Sequence, residues 1–206
     1  MIPCRMNPLG VYPYRRLQYI ASTGTQYIDT GVKPDYANGD SVEISFYRAE
    51  QNNTYAVIFG SRTAQVRNGL YFVSDERTGL TPFLYVACYS TGFVQTQMFL
   101  IRYYEDVKMT VENGNITTVS EHYNGTYTFT QQVTSEYSVY LFALNSGGTM
   151  SFSYPGMKLY DWKYWRNGVL AQHLVPVLDK SGVPCMYDTV TRTLKYNAGS
   201  GTFNYA

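Results

Sequence analysis

The stretch Ser41-Val-Glu-Ile-Ser-Phe-Tyr47 decides the fold class. Val42, Ile44 and Phe46 fall on one side of an extended chain, and Ser41, Glu43 and Ser45 fall on the other. That is the period-two pattern of a half-buried strand. Val107, Met109 and Val111 alternate in the same way with Lys108, Thr110 and Glu112, and Tyr127 and Phe129 alternate with Thr126, Thr128 and Thr130. The run Val139-Tyr-Leu-Phe-Ala-Leu144 is apolar on both faces, which predicts a central strand covered on both sides. Helical periodicity is nearly absent.

Asn-Gly pairs at 38–39, 68–69, 113–114, 124–125 and 167–168 punctuate these runs. Both residues tolerate the positive φ that a type I′ hairpin turn needs at its two central positions. Asn113-Gly114 is the clearest, since it separates 108–112 from 115–120. Gly147-Gly148, Asp179-Lys-Ser-Gly182 and Asn197-Ala-Gly-Ser-Gly201 read as further turns. About a dozen short strands spaced this way predict a two-sheet antiparallel sandwich. No linker or low-complexity stretch follows residue 17, so residues 17–206 are read as one domain. Residues 1–16 carry Pro3, Pro8 and Pro13 with Arg5, Arg15 and Arg16, and read as an extended N-terminal arm rather than a ladder-forming strand. Such an arm is either a disordered terminus or, with Arg5, Tyr12, Tyr14, Arg15 and Arg16 as its contacts, an attachment to a neighbouring subunit.

A chain of 206 residues buries roughly 70 % of its unfolded surface, enough for a core that needs no staples. The 16 basic and 15 acidic residues nearly cancel, so no field suited to nucleic acid or anionic lipid is expected. Tyrosine is abundant (22 residues) and charge is sparse (15 %), a composition that leans towards pleated structure. Three cysteines argue against a disulfide framework. Cys88 reads as a small buried hydrophobe, and a Cys4–Cys185 bridge is the alternative use of the other two. The proline-broken first residues hold no apolar core of signal-peptide length, and no stretch reaches the length of a membrane helix. A product made in the cytoplasm, without a membrane partner, is expected. The sequons at Asn52, Asn115 and Asn124 carry little meaning without a secretory signal.

Four segments together carry a resemblance: Leu17-Gln-Tyr-Ile-Ala-Ser-Thr-Gly-Thr-Gln-Tyr-Ile-Asp-Thr-Gly31, Ile58-Phe-Gly-Ser-Arg62, Lys158-Leu-Tyr-Asp-Trp-Lys-Tyr-Trp-Arg-Asn-Gly-Val-Leu170, and Leu174-Val-Pro-Val-Leu-Asp with Met186-Tyr-Asp188 and Asn197 to Phe203. In this order, from about residue 17 onward, the chain resembles the concanavalin A-like, laminin-G-type jelly rolls of gut bacteriophage structural proteins. It is similar also to the jelly rolls of prophage and bacterial surface proteins. The resemblance implies two curved antiparallel sheets and a role in adhesion or glycan binding. It implies a head- or tail-fibre or capsid-decoration component of the virion, with other virion proteins and host surface glycans as partners; the alternative is a stand-alone lectin-like carbohydrate-binding module, and a third reading is a glycan hydrolase. Fibre components are symmetric oligomers, and a homotrimer is expected. Some related domains hold calcium at a sandwich rim. No Asp-rich loop with ligand spacing stands out here, so no cofactor or metal is expected.

The residues do not point to catalysis. Retaining glycosidases need two carboxyls ~5 Å apart. The jelly-roll glucanases of this fold carry a Glu-x-Asp-x-x-Glu strand that the chain lacks. Glu105 and Asp106 are adjacent and face opposite ways, and Glu43 has no acidic partner on its own strand face. His122 and His173 are the only histidines, which thins out triads and zinc sites alike, and His173 reads as packed or exposed on a strand. Binding would instead use exposed aromatics. Asp161 and Lys163 mark a wet face that takes in Trp165 and leaves Trp162 and Tyr164 inward. Trp165 either stacks on a sugar ring or covers the sandwich edge under the arm. Tyr47, Tyr85, Tyr89, Arg62 and Arg67 are further candidates. Asp29 is read as capping a turn or else meeting a cation, and Asp188 as closing the corner formed by residues 189–192.

Overall fold

The computed structural model describes residues 12–49, 55–63, 69–75, 84–90, 93–99, 101–129 and 134–206. They form two stacked sheets. In chain order the first sheet takes β1 (Arg15–Arg16), β2 (Ile20–Ala21), β4 (Ser41–Tyr47), β9 (Asp106–Glu112), β10 (Asn115–Val119) and β11 (Asn124–Thr128). It continues with β15 (Lys158–Arg166), β16 (Val169–Leu178), β17 (Pro184–Asp188), β18 (Leu194–Lys195) and β19 (Asn204–Tyr205). The second sheet takes β3 (Ile28–Asp29), β5 (Tyr55–Arg62), β6 (Gly69–Asp75), β7 (Leu84–Ser90), β8 (Phe93–Phe99), β12 (Tyr140–Leu141), β13 (Leu144–Ser146) and β14 (Thr149–Ser151). The path of the first sheet is β11-β10-β9-β4-β15-β16-β17-β18, and that of the second is β14-β13-β5-β6-β7-β8. The expected all-β jelly-roll sandwich is therefore present, with one parallel pair, β13 with β5, among antiparallel neighbours.

The alternation read from the sequence sets the interior. Val42, Ile44, Phe46 and Met109 are wholly buried, and Val107 and Val111 nearly so. Across the gap, Phe59 stacks on Phe72 at 4.3 Å and meets the Trp162 ring edge-on at 5.2 Å, geometries that aromatic quadrupoles favour. Trp162 is fully buried, and its Nε1–H donates to Gln172 Oε1 at 3.2 Å. Gln172 Nε2 donates in turn to the Thr30 carbonyl, so no polar group of this pair is stranded.

Asn113-Gly114 and Asn167-Gly168 have positive φ at both positions and close the β9–β10 and β15–β16 hairpins, as the sequence predicts; so does Gly147-Gly148 between β13 and β14. Asn124-Gly125 does not turn: both residues lie in β11, where a Cβ on Gly125 would meet the Tyr123 ring. The run at 139–144 is buried throughout, yet it is not one strand. Phe142 has φ 69, and the chain doubles back there, leaving β12 antiparallel and β13 parallel to β5. It is apolar on all sides because it reverses inside the core.

Segment 15–21 fills the place where β15 and β16 part. Arg15 and Arg16 pair with Leu178 and Val177, whereas Ile20 and Ala21 pair with Leu159 and Lys158, and β19 lies on the far side of β2. The two arginines ladder despite the nearby prolines because the pairing starts after Pro13, where every residue has an N–H to give. Tyr12 and Tyr14 meet Tyr187 edge-on at 6.4 and 5.3 Å. Beneath them Val175, Val177, Cys185 and Tyr187 form a small second cluster that Tyr14 and Leu194 pack against. Cys185 is a free buried thiol, and burial pushes its pKa up to about 12. Cys4 and Arg5 lie outside the described residues.

Candidate functional site

At one end of the sandwich three segments meet around a pocket of about 370 Å³, lined by Lys33, Pro34, Asp35, Asn38, Asp40, Thr134, Ser135, Arg166 and Asn167. Local chemistry builds its floor. A 3-10 turn at Tyr36–Asn38 ends at Gly39 in the left-handed region, and the Asp35 carbonyl accepts from both Asn38 and Asp40 N–H. Asp35 N–H donates to Asp40 Oδ2 at 2.8 Å, and Asn38 Nδ2 donates to Asp35 Oδ2 at 2.7 Å. Thr134 bridges to Asp35, and Ser135 N–H donates to the Pro34 carbonyl. The third wall comes from the end of β15, where Arg166 precedes the Asn167-Gly168 turn.

Arg166 is held from below. The Tyr164 hydroxyl donates to Asp40 Oδ2 and accepts from Arg166 Nε and Nη2 at 3.1 and 2.9 Å. Burial, with the Asp40 contact second, lifts the Tyr164 pKa to about 12, so the phenol keeps the proton it donates. Asp40 is only 3 % exposed. The pocket thus presents an arginine fixed in direction, Lys33, two amide side chains and Thr134, while the Ser135 hydroxyl is taken up by Ser61 and Tyr137. Asp35 Oδ1 is buried without a hydrogen-bond donor.

The outward face of the first sheet carries a second group of polar side chains. Glu43 binds Lys108 and Lys163, both at 2.7 Å; Lys163 also reaches Asp161 at 3.3 Å, and Asp161 reaches His173 Nε2 at 2.8 Å. Cross-strand register brings these together, with Lys163 opposite both Glu43 and His173. Burial pushes the Glu43 carboxyl up, but Lys108 and Lys163 outweigh it and hold it below its ordinary range; His173 and Lys163 do the same for Asp161. Neither acid therefore keeps a proton near neutrality for the general-acid half of glycoside cleavage. The other histidine, His122, lies 2.6 Å from Glu105.

Of the residues singled out from the sequence, Tyr47, Asp161, Lys163 and Trp165 share this outward face, and Trp165 is half-buried beside Arg166. Tyr47 lies against Lys158, whose Nζ also sits over Tyr19. Arg62 is elsewhere, in the second sheet, donating to Ser146 Oγ at 3.1 Å. Arg67 lies outside the described residues, as do the side chains of Tyr85 and Tyr89. The described part of the arm lies at Leu178 and Tyr187, at the other end of β16 from Leu170, the residue paired with Trp165. Sequence reading missed Asp35, Asn38 and Asp40, whose one visible sign was the Asn38-Gly39 pair. Among the described residues, no three His, Cys, Asp or Glu side chains gather in a metal-holding group, and no helix is long and apolar enough to cross a membrane. Three N–H or O–H donors occupy the Oδ2 atoms of Asp35 and Asp40, and Arg166 stands alongside.

No family model matches the chain, and no curated protein matches its sequence. Solved structures do match in shape. A candidate carbohydrate-binding protein of Bacteroides ovatus superposes with a TM-score of 0.58 at 10 % identity, over 93 % of this chain and 60 % of that one. Mouse laminin α1 domains LG4-5 give 0.52 at 10 % identity, over 100 % of this chain and 51 % of that one. A heptameric SAP-like pentraxin of Limulus polyphemus gives 0.51 at 13 % identity, over 73 % and 76 %. The chain thus spans about half to three quarters of the lengths of the structures it matches. Two sheets in this order, matched by laminin LG domains and a pentraxin, give the chain a laminin-G-like jelly-roll fold.

Proposed function

We propose that the chain is a lectin-like carbohydrate-recognition module whose ligand sits in the pocket at residues 33–40, 134–135 and 166–167. The observation that carries this is the pocket's content. Arg166 is fixed by Tyr164 and Asp40, and Asn38, Asn167 and Thr134 surround it with groups that both donate and accept, while the Ser135 hydroxyl is taken up by Ser61 and Tyr137. Sugar hydroxyls need that mixture, and fixed donors bind them without paying to be ordered first. The fold supports the reading, since one of the matching structures is a candidate carbohydrate-binding protein. Trp165 does not line this pocket: strand alternation turns it to the face opposite Tyr164, so it would at most serve a separate contact on the outward sheet face.

We read the module as non-catalytic, because its outward acids are clamped by lysines and its pocket acids serve as hydrogen-bond acceptors. A glycan array of the intact chain, repeated with Arg166→Ala and Asn38→Ala, tests the reading. Signal on defined glycans that both substitutions abolish is expected; an array without signal, or signal that ignores both, refutes it. From the sequence resemblance we propose, as a second reading, that such a module belongs to a bacteriophage particle, as a fibre or decoration component made in the host cytoplasm. There it would sit beside other virion proteins in a homotrimer and bind host surface glycans. A monomeric solution mass would count against that setting and leave sugar recognition untouched.

A further inference from the structure

We infer that Asp40, with Asp35, fixes the class of sugar this pocket takes: neutral glycans rather than acidic ones. The inference rests on the recognition reading above and sharpens it. The pocket lining holds two cations, Lys33 and Arg166, and two acids, Asp35 and Asp40, so its formal charge cancels. The charges are also layered. Asp40 lies almost wholly buried beneath the pocket and reaches Arg166 through a single hydroxyl, that of Tyr164. Asp35 is tied to Asp40 by its own N–H, and both carboxylates act electrostatically on the Arg166 guanidinium. The charge of Arg166 is therefore answered from within the protein before any ligand arrives.

A carboxylated sugar brought to Arg166 would sit over these acids, and the buried Asp40 carboxylate is less screened than a surface charge, so it opposes a like charge above it. A neutral hydroxyl meets no such opposition. It can accept from Arg166 Nη1, which makes no hydrogen bond among the described residues, and exchange hydrogen bonds with the exposed amides of Asn38 and Asn167. The acids remove the net attraction for anions and keep the direction of the donor. Asp40 acts through Tyr164 and is a positioning and specificity residue rather than a ligand contact.

The test titrates the full chain with the methyl glycosides of glucose, galactose and mannose and with the matching uronates, followed by NMR at low and high salt. The neutral member of a pair should bind about tenfold more tightly than its uronate or better, the effect of one uncompensated like-charge contact. Its affinity should be the same at both salt levels, since no ion pair forms. Asp40→Asn keeps the side-chain shape, and should raise uronate binding about tenfold at low salt, a gain that fades at high salt. Asp35→Asn, at a more exposed position, should shift the preference the same way and stands in if Asp40→Asn unfolds. A uronate preference in the unsubstituted chain overturns the neutral assignment and leaves sugar recognition standing, as does an unchanged preference in the folded variants. Silence towards every sugar, in titration and on the array, removes recognition itself.

Discussion

Replacing Tyr14 by alanine asks whether the N-terminal segment belongs to the fold or reaches out to a partner. In the structure the Tyr14 ring lies 5.3 Å from Tyr187 and packs on the cluster of Val175, Val177, Cys185 and Tyr187, all of which are buried. Losing the edge-to-face contact costs about 1 kcal/mol. Uncovering the cluster adds a similar amount, because Tyr14 is half-buried and forfeits only part of the 3–5 kcal/mol typical of a buried aromatic. The sum is about 2 kcal/mol, which for a chain of this length lowers the melting temperature by roughly 4–8 °C. Tyr12→Ala, at a 39 % exposed ring 6.4 Å from Tyr187, should cost under about 1 kcal/mol. Urea and thermal melts give the stabilities, and mass photometry on the same samples gives the oligomeric state. If Tyr14→Ala leaves the melt unchanged but alters the solution mass, the segment is held by a neighbouring copy and the reasoning fails.

Other expectations follow from single contacts. Asp188 is fully buried and accepts from His173 N–H, Val190 N–H and the Thr191 hydroxyl. Asp188→Ala should therefore cost roughly 2–4 kcal/mol in a urea melt, and a loss below about 1 kcal/mol would show that water replaces it. Glu43 and Asp161 titrate below their ordinary values of 4.5 and 3.8 when folded. Their stabilising share is complete above those values and is lost as pH falls through the lower folded ones. Glu43→Gln should flatten the acid side of a melting-temperature curve, and an unchanged acid limb would contradict the assignment. Calcium should leave the melting temperature of the chain unchanged. A rise that a chelator reverses and that Asp35→Asn removes would show that Asp35 Oδ1 takes a cation.

The local signals were legible because they depend on near neighbours. Asp29 caps its turn by accepting from Gly31 N–H at 2.9 Å, Asp179 closes 179–183 by accepting from Ser181 and Val183 N–H, and Asp188 closes its corner as expected. The site was less legible. Trp165, Asp161 and Lys163 fall on one face because strand parity is written in the chain. That Glu43, 120 residues away, neutralises Lys163 depends on which strand lies beside β15. Both histidines have carboxylate partners, 12 and 17 residues away, that no spacing rule marks.

By itself the sequence determined that the chain would form stacked antiparallel sheets. Alternation of apolar and polar residues chooses which side of each strand is buried, and Asn-Gly and Gly-Gly pairs accept the positive φ of tight hairpins at little cost. Both are properties of a few consecutive residues. The tertiary structure alone decided that 33–40, 134–135 and 166–167 would share one pocket and that Asp40 would lie under Arg166. Those meetings follow from strand order and register, which core packing fixes over separations of more than a hundred residues.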